Sequence, residues 1–138
     1  MFRYVHLAIL GIAATMLLGC GGGSERPSAT IQGVVTLEGK PLDQGSVHFT
    51  SPKTGESAYA NLTGEGKYLV TFPYADIGQA YQVSIGKTVV DETDAHALAA
   101  NPPAPMTVKI PAKYSERTTS GLSVTIETGG ETQYDIAL

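Results

Sequence analysis

The chain of 138 residues contains one cysteine, Cys20, so no disulfide can close within it in any compartment. Basic clusters are missing too: the nine Lys and Arg residues are scattered singly, and the formal net charge is -4. A nucleic-acid partner requires a basic stripe to neutralise phosphates, so that class of partner is set aside. No His-Glu-x-x-His or Cys-x-x-Cys pattern offers a metal centre, and no Gly-x-Ser-x-Gly turn marks an activated serine. No helical period is evident after residue 20, and a long apolar run occurs once, at the N-terminus. What remains is an ordinary folding composition, 42% apolar and 16% charged. Roughly 110 residues beyond the N-terminal segment are enough to bury a core without staples.

The apolar run extends from Val5 to Leu18, follows Arg3, and is interrupted only by His6 and Thr15. It is short for a hydrocarbon core of about 30 Å but suits the apolar region of a signal peptide. It ends in Leu17-Leu18-Gly19-Cys20. The next stretch, "GGGSERPS" (residues 21–28), is a Gly/Ser-rich leash that would span about 16 Å as a random coil. An N-terminal core helix and a plain cleaved secretory signal are the alternative readings of the run.

Leu17-Leu18-Gly19-Cys20 resembles the bacterial lipobox: an aliphatic residue, a variable one, a small one, then cysteine. The resemblance implies a signal peptide over residues 1–19, cleavage between Gly19 and Cys20, and a diacylglycerol thioether on Cys20. It also implies N-acylation of the new terminus and a membrane partner reached through that anchor. One acyl chain binds a membrane marginally, whereas two or three hold a protein stably. Gly21 occupies the position where an aspartate signals inner-membrane retention, which favours the outer membrane of the cell envelope.

From Ala29 onward the apolar period is two. Ile31, Gly33, Val35 and Leu37 share one face; Val47 and Phe49, then Tyr68, Val70 and Phe72, then Tyr81, Val83 and Ile85 repeat the pattern. "SAYANL" is a weaker strand, and Leu122, Val124 and Ile126 form another face. "EGKPL", "SPKTGE" and "TGEGK" read as turns, "TGGE" reads as a hairpin turn, and Tyr134, Ile136 and Leu138 form the last face. The expected product is all-β, a seven-stranded antiparallel β-sandwich over residues 29–138, with a small barrel as the rival architecture. Residues 88–107 form a connection longer than usual, with one or two helical turns over "DETDAHALAAN" and an extended "PPAP".

The strand-and-turn order is similar to that of the carboxypeptidase regulatory-like domain, a transthyretin (prealbumin)-type sandwich. The residues that carry the likeness are Gly33-Val34-Val35, Gly39-Lys40-Pro41-Leu42, Gly45-Ser46-Val47, Thr63 with Gly66-Lys67-Tyr68, and Tyr81-Gln82-Val83. The block Ile110-Pro111-Ala112-Lys113-Tyr114, with Ser120-Gly121-Leu122 and the final "YDIAL", resembles the short planctomycete-type lipoproteins that carry this domain. The family often places two acidic residues in the turn before the fourth strand. Gly64-Glu65-Gly66 supplies one carboxylate, which argues against a cation site there. Related hydroxyisourate hydrolases end in Tyr-Arg-Gly-Ser, unlike Tyr134-Asp135-Ile136-Ala137-Leu138.

Two histidines lie beyond the signal segment. His48 falls on the polar side of a strand, and His96 stands in Asp91-Glu92-x-Asp94-x-His96, the one local cluster of ligand-type residues. A calcium loop would also require a turning glycine, which is missing, so the cluster reads as a solvated acidic loop. No catalytic residue, cofactor or metal is expected. The chain is expected to be a non-enzymatic, membrane-anchored binding or structural module of the cell envelope. Loop 88–107 is its candidate contact for a protein or carbohydrate partner, and Tyr59, Tyr74 and Tyr114 are candidate exposed rings. An accessory subunit of an envelope assembly, and a hydrolase or metal enzyme using His48 and His96, are the alternatives. Asn61-Leu62-Thr63 matches a glycosylation sequon, for which a bacterial lipoprotein has no use.

Overall fold

The computed structural model describes residues 26–91, 99, 100, 102, 106 and 108–138. The predicted signal segment 1–19, Cys20, the predicted leash through residue 25, and His96 within 92–98 lie outside the described residues. Among the described residues nine strands form two sheets: β1 (Ala29–Leu37), β2 (Lys40–Pro41), β3 (Ser46–Thr50), β4 (Ser57–Asn61), β5 (Lys67–Phe72), β6 (Ala80–Gly86), β7 (Leu122–Thr125), β8 (Gly130–Gln133) and β9 (Ile136–Ala137). A 3-10 turn at Ala112–Ser115 precedes β7. The protein is therefore all-β and sandwich-like, and among the described residues no helix is long and apolar enough to cross a membrane.

The strands follow from alternation. In β5, Tyr68, Val70 and Phe72 are buried while Lys67, Leu69 and Thr71 are exposed, as the two-residue period demands. The inward residues of both sheets merge into one core. Phe72 lies 4.7 Å from Tyr81 and meets Phe49 edge-on at 6.3 Å, an arrangement favoured by ring quadrupoles. Each fully buried large side chain in this cluster contributes about 1.5–3 kcal/mol of transfer free energy.

The second sheet, in the order β4-β3-β6-β7, is antiparallel throughout. The first sheet corrects the antiparallel expectation. β1 pairs antiparallel with β2 and β5, but parallel with β8 and β9. The segment read as a hairpin turn, Thr128-Gly129-Gly130-Glu131, is a crossing between sheets: β7 pairs with β6 and β8 with β1. Local contacts direct the crossing. Gly78 N–H donates to Ile126 O at 2.8 Å, holding the end of β7, and Gly130 N–H donates to Ser28 O at 3.2 Å, drawing the next residues to β1.

The expected last strand is also divided. β9 holds only Ile136 and Ala137, although Tyr134, Ile136 and Leu138 do turn toward the core. At the break, Asp135 Oδ1 accepts the Val34 N–H at 2.9 Å in place of a backbone carbonyl, and the Tyr68 hydroxyl donates to Tyr134 O. The N-terminal side is pinned as well: Ala75 N–H donates to Pro27 O at 2.9 Å, and Arg26 Nη1 donates to Asp76 Oδ1 at 3.0 Å.

Two glycines are dictated by this geometry. Gly66 has φ of 72°, a conformation that costs other residues steric strain, and its carbonyl accepts the Val35 N–H at 2.9 Å. Gly33 lies where the C-terminal backbone crosses β1, and a Cβ there would stand 2.0 Å from Tyr134 O. Gly33→Ala is expected to destabilise the fold by roughly 3 kcal/mol, the upper range of overpacking costs, because backbone must move. Urea denaturation checks the loss. Hydrogen exchange should show β8 and β9 losing protection before β3 and β6.

Candidate functional site

The outward face of the second sheet is the best-formed polar surface among the described residues. Register places His48 of β3 between Tyr59 of β4 and Ser84 of β6. One step along, Thr50 lies between Ser57 and Gln82, and Gln82 faces Ser123 of β7. None of these outward residues is Asp, Glu, Lys or Arg. β6 pairs with β7 only as far as Val83, and the segment leading into β7 lies along the rest of β6. Ser120 anchors that segment through its hydroxyl, which donates to Val83 O. The result is a cleft of about 410 Å³, floored by His48, Thr50 and Ser84 and walled by Ser115, Glu116, Arg117 and Thr118.

The chemistry of His48 is fixed by its neighbours. The Ser46 hydroxyl donates its one proton to Lys87 O at 2.6 Å, so toward His48 Nε2, 2.8 Å away, it must accept. The imidazole therefore carries its proton on Nε2 and leaves Nδ1 as the acceptor. Ser46 is buried and its proton is committed, so the pair is not arranged as nucleophile and base. Burial pushes the His48 pKa below its ordinary 6.5, which keeps the ring neutral at pH 7. Tyr59 stacks on it, with centroids 5.5 Å apart and planes 23° from parallel, and is itself half exposed at 50%.

A second polar cluster was not anticipated from the sequence. Asp76, in the loop between β5 and β6, is only 8% exposed. Its carboxylate accepts from Thr54 Oγ1 at 2.6 Å, Ser51 Oγ at 2.8 Å and Arg26 Nη1 at 3.0 Å. Those hydroxyls and the guanidinium hold its pKa below the usual carboxylate value, against the opposing effect of burial. Its N–H donates to the Tyr81 hydroxyl at 2.8 Å. A carboxylate that is ionised at neutral pH and held by three donors is a structural tie, not a proton shuttle. Nothing in "PYADIGQ" marks it, except that a lone acid stands between Ala75 and Ile77.

The other residues singled out by sequence fall as follows. Tyr74 is 59% exposed, whereas Tyr114 is half-buried against the core with Lys113 Nζ 4.5 Å from its ring centroid. Asn61 of the sequon is committed within the chain: its amide exchanges two 2.8 Å hydrogen bonds with the backbone of Val89. With the 3.1 Å bond from Gly45 N–H to Thr88 Oγ1, these fix the start of loop 88–107, whose residues 92–98, 101, 103–105 and 107 lie outside the described residues. Among the described residues no three His, Cys, Asp or Glu side chains gather as a metal site. No family model matches the chain, and no curated protein matches it.

Two pH effects follow. A histidine whose folded pKa is lowered contributes stability that is full above the unfolded value of 6.5 and falls as pH drops through the window below it. His48→Gln should flatten the stability profile in that window, as measured by urea midpoints at successive pH values. Asp76 behaves likewise at lower pH: its contribution is present above 3.8 and is lost as pH falls through its lower folded value. Asp76→Asn places amide hydrogens against donors and should cost about 1–3 kcal/mol at pH 7, with a smaller difference from wild type in acid.

Proposed function

We propose that the protein is a lipid-anchored lipoprotein of the bacterial cell envelope, whose sandwich serves as a non-enzymatic binding or structural module of the transthyretin-like, carboxypeptidase regulatory-like kind. The observation that carries the reading is Leu17-Leu18-Gly19-Cys20, placed at the end of an apolar run behind Arg3 and holding the chain's one cysteine. A diacylglycerol on Cys20 with an N-acyl chain supplies the two or more lipid tails that stable anchoring requires. The Gly-rich leash that follows separates lipid from sandwich, and Gly21 favours the outer membrane.

The non-enzymatic part is supported by the committed protons. Ser46 spends its hydroxyl hydrogen on Lys87 O, His48 spends its N–H on Ser46, and the Asp76 carboxylate is held by three donors. Neither Ser46 nor Asp76 is therefore poised to move a proton to or from a substrate, and His48 keeps only Nδ1 as an open acceptor.

The test is metabolic labelling of the full chain with radioactive palmitate in a diderm bacterial host. The wild type should carry label and sediment with membranes. Cys20→Ala should lose the label and remain as the uncleaved precursor. An unlabelled wild type, or a labelled Cys20→Ala variant, rejects the anchor.

A further inference from the structure

We infer that the outward face of the second sheet is a binding surface for a neutral saccharide chain, with Tyr59 and His48 as its stacking platform and the adjacent cleft as its hydrogen-bonding subsite. This rests on the reading of the sandwich as a binding module and names the ligand class.

Charge is the first reason. The strand residues on this face are uncharged, and the cleft wall adds one carboxylate, Glu116, and one guanidinium, Arg117. Glu116 and Arg117 cancel in formal charge, so the face offers no net charge to balance a polymer carrying one charge per residue. A polyhydroxyl ligand needs no such balance.

Unspent hydrogen-bonding capacity is the second. The side chains of Thr50, Ser84, Arg117 and Thr118 find no hydrogen-bond partner among the described residues, although they line one concave site. Together with Glu116 they present both donors and acceptors, matching sugar hydroxyls, which need both. The volume of about 410 Å³ is within the range of small-ligand sites.

The ring pair is the third. Tyr59 is half exposed, yet its ring is not loose: it is stacked at 5.5 Å on an imidazole that Ser46 holds in place. A half-exposed ring braced by a neighbouring imidazole beside a polar cleft gives the C–H face of a pyranose something to pack on at small entropic cost. The floor carries no aliphatic patch of the sort that forms the centre of a protein–protein interface.

The full chain, purified in detergent, is titrated by calorimetry with maltohexaose, cellohexaose, chitohexaose and the acidic hexagalacturonate. Saturable binding to at least one neutral hexasaccharide is expected, with hexagalacturonate binding weaker. Tyr59→Ala should weaken that binding about tenfold or more, as loss of an aromatic anchor does, while Tyr74→Ala leaves it unchanged. Ser84→Glu, which plants a charge on the floor without touching the rings, should abolish it independently. No binding to any neutral hexasaccharide overturns the inference. So does equal or tighter binding of hexagalacturonate, or wild-type affinity in both Tyr59→Ala and Ser84→Glu. Palmitate labelling reads the anchor separately: a labelled chain that binds no sugar rejects only this face, and an unlabelled chain that binds sugar rejects only the anchor.

Discussion

The backbone of β1 is hydrogen-bonded along both edges, and the first sheet exists only through it. On one edge Ala29 to Val34 pair with β5, and Thr36 and Leu37 with β2. On the other, Ala29 to Gln32 pair with β8, and Val35 and Thr36 with β9. β5, β8 and β9 have no other ladder among the described residues, so breaking β1 would release all of them. The constraint is tightest at Gly33, where the crossing chain comes so near that no side chain fits. There the ladder is interrupted, and polar side chains repair it. Asp135 takes the orphan Val34 N–H, and Tyr68 supplies a proton to Tyr134 O. Burial, with Tyr134 and Asp135 nearby, raises the Tyr68 pKa, so its hydroxyl remains a donor at any working pH.

Asp76 plays the corresponding part where the chain enters the sandwich. It joins Arg26, the turn holding Ser51 and Thr54, and the aromatic core through Tyr81. Low exposure makes this expensive unless the charge is hydrogen-bonded, and both carboxylate oxygens are: Oδ2 accepts from Ser51 and Thr54, and Oδ1 from Arg26. The Tyr81 hydroxyl closes the network by donating to Glu56 Oε2 at 3.4 Å. The segment just before β1 is thus held by a half-exposed guanidinium on a buried carboxylate.

The alternation of apolar and polar residues made the strands legible, because burial on one face forces a period of two. It placed His48 correctly on the polar side of β3 and the rings of Tyr68 and Tyr81 inside. Pairing partners were not legible in the same way. Period two is identical for parallel and antiparallel strands, so the parallel placement of β8 and β9 carries no sequence signal. "TGGE" has the composition of a hairpin turn, yet the contacts of Ile126 and Gly130 send it between sheets. The polar cleft was hidden for another reason. Its floor comes from β3 and β6 and its wall from residues 115–118, and only the tertiary fold brings them together. Asp76 is a lone acid whose carboxylate finds its partners 22 to 50 residues away.

The topology also separates the ends of the sandwich by task. Arg26 to Ser28 are held at the end formed by the β3–β4 turn, the β5–β6 loop and the start of β8. β6 runs from that end to the opposite one, where Thr88 meets Gly45 and Val89 meets Asn61. Loop 88–107 therefore begins at the end away from Arg26. Under the proposed anchoring, the lipid lies beyond one end, loop 88–107 sets out from the other, and the two sheet faces point sideways. Those faces differ in kind. The first sheet shows Lys67, Leu69, Glu131 and Gln133, a mixed surface, while the second shows hydroxyls, amides and one stacked ring pair. An anchor beyond Arg26, as proposed, would leave the neutral face of the second sheet open to a polymer beside the membrane.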